Sequence, residues 1–193
     1  MNRTRITGIV LAGGSSSRMG QDKSLMLFNG RTLTSYAIEI LRAVCDQVVI
    51  SSNQQVYEFT GCEVWPDILD FQAPMIGIYS CLKRSQTYWN IFLSCDMPLV
   101  DERLLDYLFS QRAGADIVVP VHHDEVEPLC GLYSRRVIPL LERKIREEDY
   151  SMRHLIRSAR SRLLETGPEL DFYSCNMFAN MNTAGDIHLF SRK

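Results

Sequence analysis

The chain has 193 residues, 46% of them hydrophobic, and sets 21 Lys and Arg against 23 Asp and Glu for a net charge of −2. That is material for one core of ordinary domain size, and the near balance of charge excludes a broad basic surface for nucleic acid, so any anionic ligand is held locally. Six cysteines, at 45, 62, 81, 95, 130 and 175, stand without a Cys-x-x-Cys pair; this argues against a structural zinc, and with no apolar run long enough for a signal or membrane segment it predicts a soluble protein of a reducing cytoplasm.

Residues 6–11 form an apolar run that stops at Gly13-Gly14, the pattern of a buried strand opening into a loop. Leu33, Tyr36, Ala37, Ile40 and Leu41 then recur at helical spacing, with Thr32 placed to cap the helix. Strand-like runs follow at 47–51, 63–65, 91–94 and 116–120, and helical patterns at 77–84 and 103–112. The alternation predicts βαβ units and hence a Rossmann-like, three-layer α/β fold: a mainly parallel sheet with helices on both faces and ligands at the carboxyl ends of its strands. Further on, 128–133 reads as an added strand, 137–146 and 151–160 as helices, and 186–191 as the closing element. Gly167-Pro168 breaks the chain, but too few residues follow for a second unit, so 1–193 is read as a single domain.

Leu11-Ala12-Gly13-Gly14-Ser15-Ser16-Ser17-Arg18-Met19-Gly20-Gln21-Asp22-Lys23 places glycines, serines and two cations directly after the first strand. Glycine lets backbone N–H groups converge on phosphate oxygens, and Arg18 and Lys23 can neutralise the remaining charge. The pattern is neither a Walker A loop nor Gly-x-Gly-x-x-Gly; composition alone also leaves a plain flexible connection open. Cys95-Asp96-Met97-Pro98 follows the apolar residues 91–93, which predicts Asp96 at the carboxyl end of a central strand. Magnesium fits there, because it takes carboxylate oxygen and is completed by water and substrate phosphates. Taken alone, Asp96 also suits a turn before Pro98. His122-His123-Asp124-Glu125 is read as an exposed loop between Pro120 and Pro128 and not as a metal site, since neighbours in an extended segment point to opposite faces.

The Leu-Ala-Gly-Gly, Ser-rich, Arg-Met-Gly and Asp-Lys series resembles the signature loop of the molybdenum cofactor guanylyltransferase family. The resemblance implies a loop wrapped around the triphosphate of GTP, with Leu11, Ala12 and Gly13 also against the base, Lys23 on the phosphates, and Arg18 beside the transferred phosphorus. It makes Asp96 the metal ligand that also touches the nucleotide. Asn53 and Asp67, at strand ends, match positions lining the nucleotide pocket. Ala73-Pro74-Met75-Ile76-Gly77 stands where the family generally has Gly-Pro-Leu-x-Gly, so Ala73 replaces a glycine. Glu127-Pro128-Leu129-Cys130-Gly131-Leu132-Tyr133 is similar to its Glu-Pro-Leu-x-x-Leu-Tyr segment. Asn180-Met181-Asn182-Thr183-Ala184-Gly185-Asp186 is similar to its terminal Asn-x-Asn-Thr-Pro-x-Asp, with Ala184 in place of proline and with Asn180 and Asn182 on the pterin side.

These landmarks run in order from residue 8 to residue 186. They imply transfer of GMP from GTP to the terminal phosphate of molybdopterin, with magnesium as the metal. Cofactor-insertion proteins and molybdoenzyme apoproteins are the implied downstream partners. A cytidylyltransferase or another small-molecule nucleotidyltransferase of the same fold, and an idle nucleotide-binding protein for cofactor delivery, stay open from the residues alone.

Overall fold

A computed structural model describes residues 5–13 and 23–191 of the chain. The strands are β1 (Ile6–Leu11), β2 (Leu27–Phe28), β3 (Arg31–Thr32), β4 (Gln47–Ser51), β5 (Glu63–Trp65), β6 (Trp89–Ser94), β7 (Ile117–His122), β8 (Glu125–Val126), β9 (Cys130–Ser134) and β10 (Ser161–Glu165). The helices are α1 (Leu33–Val44), α2 (Pro74–Arg84), α3 (Glu102–Ser110), α4 (Ile138–Arg146), α5 (Met152–Ser158) and α6 (Ala184–Phe190). The main sheet runs β10-β7-β9-β6-β1-β4-β5, with β8 paired to β7. All pairs on the path are parallel except those of β9, which runs against both β6 and β7.

Strand alternation distributes the core over two faces. Ile6, Val10, Ile50, Ile91, Leu93 and Val118 pack with α1 and α3, whereas Ile9, Leu11, Val49, Phe92, Ile117 and Val119 pack with α2, α4 and α5. Each such fully buried side chain contributes about 1.5–3 kcal/mol of transfer free energy. Gly8 lets α1 lie close to β1, since a Cβ there would come within 3.0 Å of Cys45 Sγ and 3.1 Å of Leu41 Cβ. Thr32 caps α1 as expected, accepting from the Ser35 N–H at 3.2 Å.

The structure departs from the sequence reading in three places. The helix expected over 151–160 stops at Ser158, and Ser161–Glu165 is an edge strand, β10, that the pattern did not announce. Positive φ at Asn29 and Gly30 folds β2 and β3 into a small hairpin that the pattern did not announce. His122 is the last residue of β7 and not part of an exposed loop: His123 and Asp124, at φ 50° and 63°, turn the chain into β8. The imidazole of His122 is half-buried, 3.1 Å from the Tyr173 hydroxyl, and its ring meets that of its neighbour His123 at 4.0 Å. Burial, with the adjacent His123, pushes its pKa down.

Candidate active site

The parallel registers align four strand ends in one row: Trp65 pairs with Ser51, Ser51 with Leu11, and Leu11 with Ser94. The pairing continues past the strands, as the Ala12 N–H donates to Ser51 O and the Cys95 N–H to Leu11 O, each at 3.1 Å. From β1 the chain crosses over to β4 and β5 on one side and returns to β6 on the other, so the carboxyl end of β1 is the switch point where open α/β sheets bind ligands. A cleft of about 340 Å³ lies there, large enough for a small ligand. Leu11, Ala12 and Gly13 form one wall, and Asn53, Asp67 and the start of α2 another.

Asn53 and Asp67 hold each other. The Asn53 amide accepts from the Asp67 N–H at 2.7 Å and donates to Asp67 Oδ2 at 3.1 Å. Burial raises the pKa of the Asp67 carboxyl, against the lowering effects of Asn53 and Arg84. Gly77 keeps the first turn of α2 close to both strands, since a Cβ there would lie 3.1 Å from Ser51 Oγ and 3.7 Å from Asp67 Oδ1. Ala73, where a glycine was anticipated, is the extended N-cap of α2 with φ −151°; alanine adopts that backbone without strain. Ala184 is equally tolerated, because Thr183 and Asp186 cap α6 reciprocally without a proline.

Asp96 follows β6 and is buried. Its Oδ1 accepts from the Ser94 hydroxyl, and its Oδ2 lies 2.6 Å from Lys23 Nζ. Lys23 Nζ also donates to Asn182 Oδ1 at 2.6 Å. The Asp96 carbonyl accepts from the Met181 N–H at 2.8 Å, which ties the Asn-rich segment to the end of β6. The structure thus brings Lys23, Asp96 and Asn182 together, with Ser94 linking them to the cleft that it also lines. Asn180 lies exposed on the same segment. Arg18 and the rest of residues 14–22 lie outside the described residues.

Among the described residues, no group of three or more His, Cys, Asp and Glu is placed to hold a metal ion. A single carboxylate suffices where phosphates and water complete a hard cation's shell, and Asp96 Oδ2 already takes one positive charge, the Lys23 ammonium. The donor chemistry therefore fits a divalent cation. Glu127 stands just before β9, the strand that pairs with β6. Burial, with the charges of Glu125 and Asp96, raises the Glu127 pKa.

The sequence reading missed Ser52, Gln54, Gln72 and Ser94 as cleft residues. Ser52, Gln54 and Ser94 flank or precede residues that were identified, and their position at strand ends was the available signal. Gln72 sits on an irregular connection with none.

A family model described as MobA-like NTP transferase domain matches residues 8–164. A protein named probable molybdenum cofactor guanylyltransferase from Geobacillus sp. is 30% identical over 191 residues, covering 95% of this chain and 96% of its own. The molybdenum cofactor guanylyltransferase of Vibrio parahaemolyticus is 29% identical over 193 residues, at 98% and 96% coverage. In fold the chain is similar to the crystal structure of molybdopterin-guanine dinucleotide biosynthesis protein A from Archaeoglobus fulgidus, with TM-score 0.80 and 23% identity over 95% of each chain.

Proposed function

The chain belongs to the MobA-like NTP transferase domain family, and on that premise we propose that it transfers GMP from GTP to the terminal phosphate of molybdopterin, acting as one domain in the cytoplasm. A terminal phosphate oxygen of the pterin attacks the α-phosphorus. The new P–O–P bond joins the two phosphates, the bond from the α-phosphorus to the bridging oxygen breaks, and pyrophosphate leaves with that oxygen. The products are the guanine dinucleotide form of the cofactor and pyrophosphate. The observation that carries the assignment is the convergence of Lys23, Asp96 and Asn182 beside the cleft at the end of β1.

In this reading Leu11, Ala12 and Gly13 lie against the base, with Asn53 and Asp67 across the cleft. Arg18 and Lys23 neutralise phosphate oxygens, and Asn180 and Asn182 face the pterin. Asp96 would hold a divalent cation, magnesium, which when bound adds positive charge at the phosphates. Little covalent work falls to the protein in such transfers; it aligns the reactants and stabilises spread negative charge. The products would pass to cofactor-insertion proteins or molybdoenzyme apoproteins.

The test is a thermal-shift comparison of GTP, CTP and ATP with and without magnesium, followed by an assay of label transfer from α-labelled GTP to molybdopterin. Selective stabilisation by GTP and formation of a labelled dinucleotide are expected. Preference for CTP would overturn the guanylyl assignment, and GTP binding without release of pyrophosphate would overturn catalysis.

A further inference from the structure

Tyr57 takes no part in the chemistry above, yet it is fully buried and its phenol lies between the two ends of the Gly- and Ser-rich segment. Its hydroxyl donates to the Ala12 carbonyl at 3.1 Å and lies 2.8 Å from Ser24 Oγ. With the phenol's one hydrogen directed to Ala12, the Ser24 hydroxyl donates to the phenol oxygen. Both ends are anchored elsewhere as well: the Ala12 N–H donates to Ser51 O at 3.1 Å, and the Ser24 carbonyl accepts from Thr34 Oγ1 at 2.8 Å. Next to these anchors stand Gly13, on the cleft wall, and Lys23, on Asp96.

We infer that Tyr57 is a positioning residue for nucleotide binding: its hydroxyl fixes the separation between the cleft wall at Leu11, Ala12 and Gly13 and the cation at Lys23. A nucleoside triphosphate then meets its base wall and its phosphate cation at a preset spacing, and less order has to be imposed on binding. The inference rests on the proposed nucleotide site. A purely structural Tyr57 would act through its ring, which phenylalanine retains.

The test is Tyr57→Phe, with GTP and magnesium as the probe. Isothermal titration is expected to give a Kd for GTP raised about three- to tenfold, the scale of one neutral buried hydrogen bond. In turnover KM should rise by a similar factor and kcat should change less. Thr34→Val loosens the same Ser24 anchor, so it should also weaken GTP, and the double variant should lose less than the product of the two single losses. Wild-type affinity and KM in folded Tyr57→Phe would overturn the inference, as would a fall in kcat with KM unmoved. If Tyr57→Phe does not fold, the titration of Thr34→Val decides, and wild-type affinity there overturns the inference. Wild-type protein that binds GTP alongside an unaffected Tyr57→Phe leaves the proposed function standing; wild-type protein that binds no nucleoside triphosphate removes both.

Discussion

Lys23→Ala removes an ammonium that lies 2.6 Å from Asp96 Oδ2 and 2.6 Å from Asn182 Oδ1. Its side chain is 30% exposed, so solvent screening holds the ion pair's share of stability to about 1 kcal/mol or less. The larger effect falls on the nucleotide. A charge-assisted hydrogen bond is worth about 1.5–3 kcal/mol, which predicts a loss of about ten- to a hundredfold in kcat/KM for GTP. Label transfer from α-labelled GTP to molybdopterin, measured over a range of GTP, separates KM from kcat. Lys23→Arg keeps the charge and should recover part of the loss, because a guanidinium still pairs with phosphate. A value of kcat/KM for Lys23→Ala within about twofold of wild type would refute the role given to this ammonium.

Asp96→Ala should leave turnover below about 1% of wild type, since it removes the carboxylate on which Lys23 and the proposed cation converge; normal turnover with magnesium would sink the metal assignment. Gly131→Ala should cost about 1–3 kcal/mol of overpacking, because its Cβ would fall 2.7 Å from Val119 Cγ1 and 3.2 Å from Val118 O; an unchanged urea midpoint would contradict so close a seat for β9 on β7. Asp149 is held down to about 2 from an ordinary 3.8, first by the Lys144 hydrogen bond and then by His154 and the Ser151 N–H. A depressed carboxylate stabilises the fold above its unfolded pKa and loses that contribution as pH falls through the folded one. Asp149→Asn should therefore lower Tm at pH 7 by more than at pH 2, where the difference has narrowed because the folded carboxyl is itself half protonated; a gap that stays constant across that range would refute the linkage.

The central strands were legible because burial on both faces leaves an apolar run bounded by glycine or polar residues. Residues 6–11 and 47–51 appear as strands with those bounds, and 63–65 as the edge strand β5. β9 was legible as a strand but not as a reversed one, since direction depends on the hairpin that Asp124 and its neighbour His123 close. β10 was hidden because Arg162 and Leu163 are exposed at a sheet edge, leaving no apolar run. At the site, position after a strand pointed to Asp96, Asn53 and Asp67. Nothing local joined Lys23 to Asn182, whose contact spans 159 positions and exists only once the Asn-rich segment docks on the end of β6. Tyr57 was equally silent: its neighbours Val56 and Phe59 are exposed, so no periodicity announced a buried phenol.

The reversed strand β9 also constrains the order in which the molecule can assemble. β6 and β7 follow one another along the chain but are not neighbours; the slot between them stays empty until residues 130–134 turn back and enter it. During synthesis β1, β4, β5 and β6 can pair while that strand has yet to emerge, and the parallel half of the sheet carries the slow, long-range closures. Leu129, whose carbonyl accepts from the Ser94 N–H at 2.9 Å and whose side lines the cleft, arrives only with β9. A nascent chain that stops short of residue 129 therefore holds the residues of the wall from Leu11 to Gly13 and Asp96, but lacks the residue that borders the cleft on the β9 side.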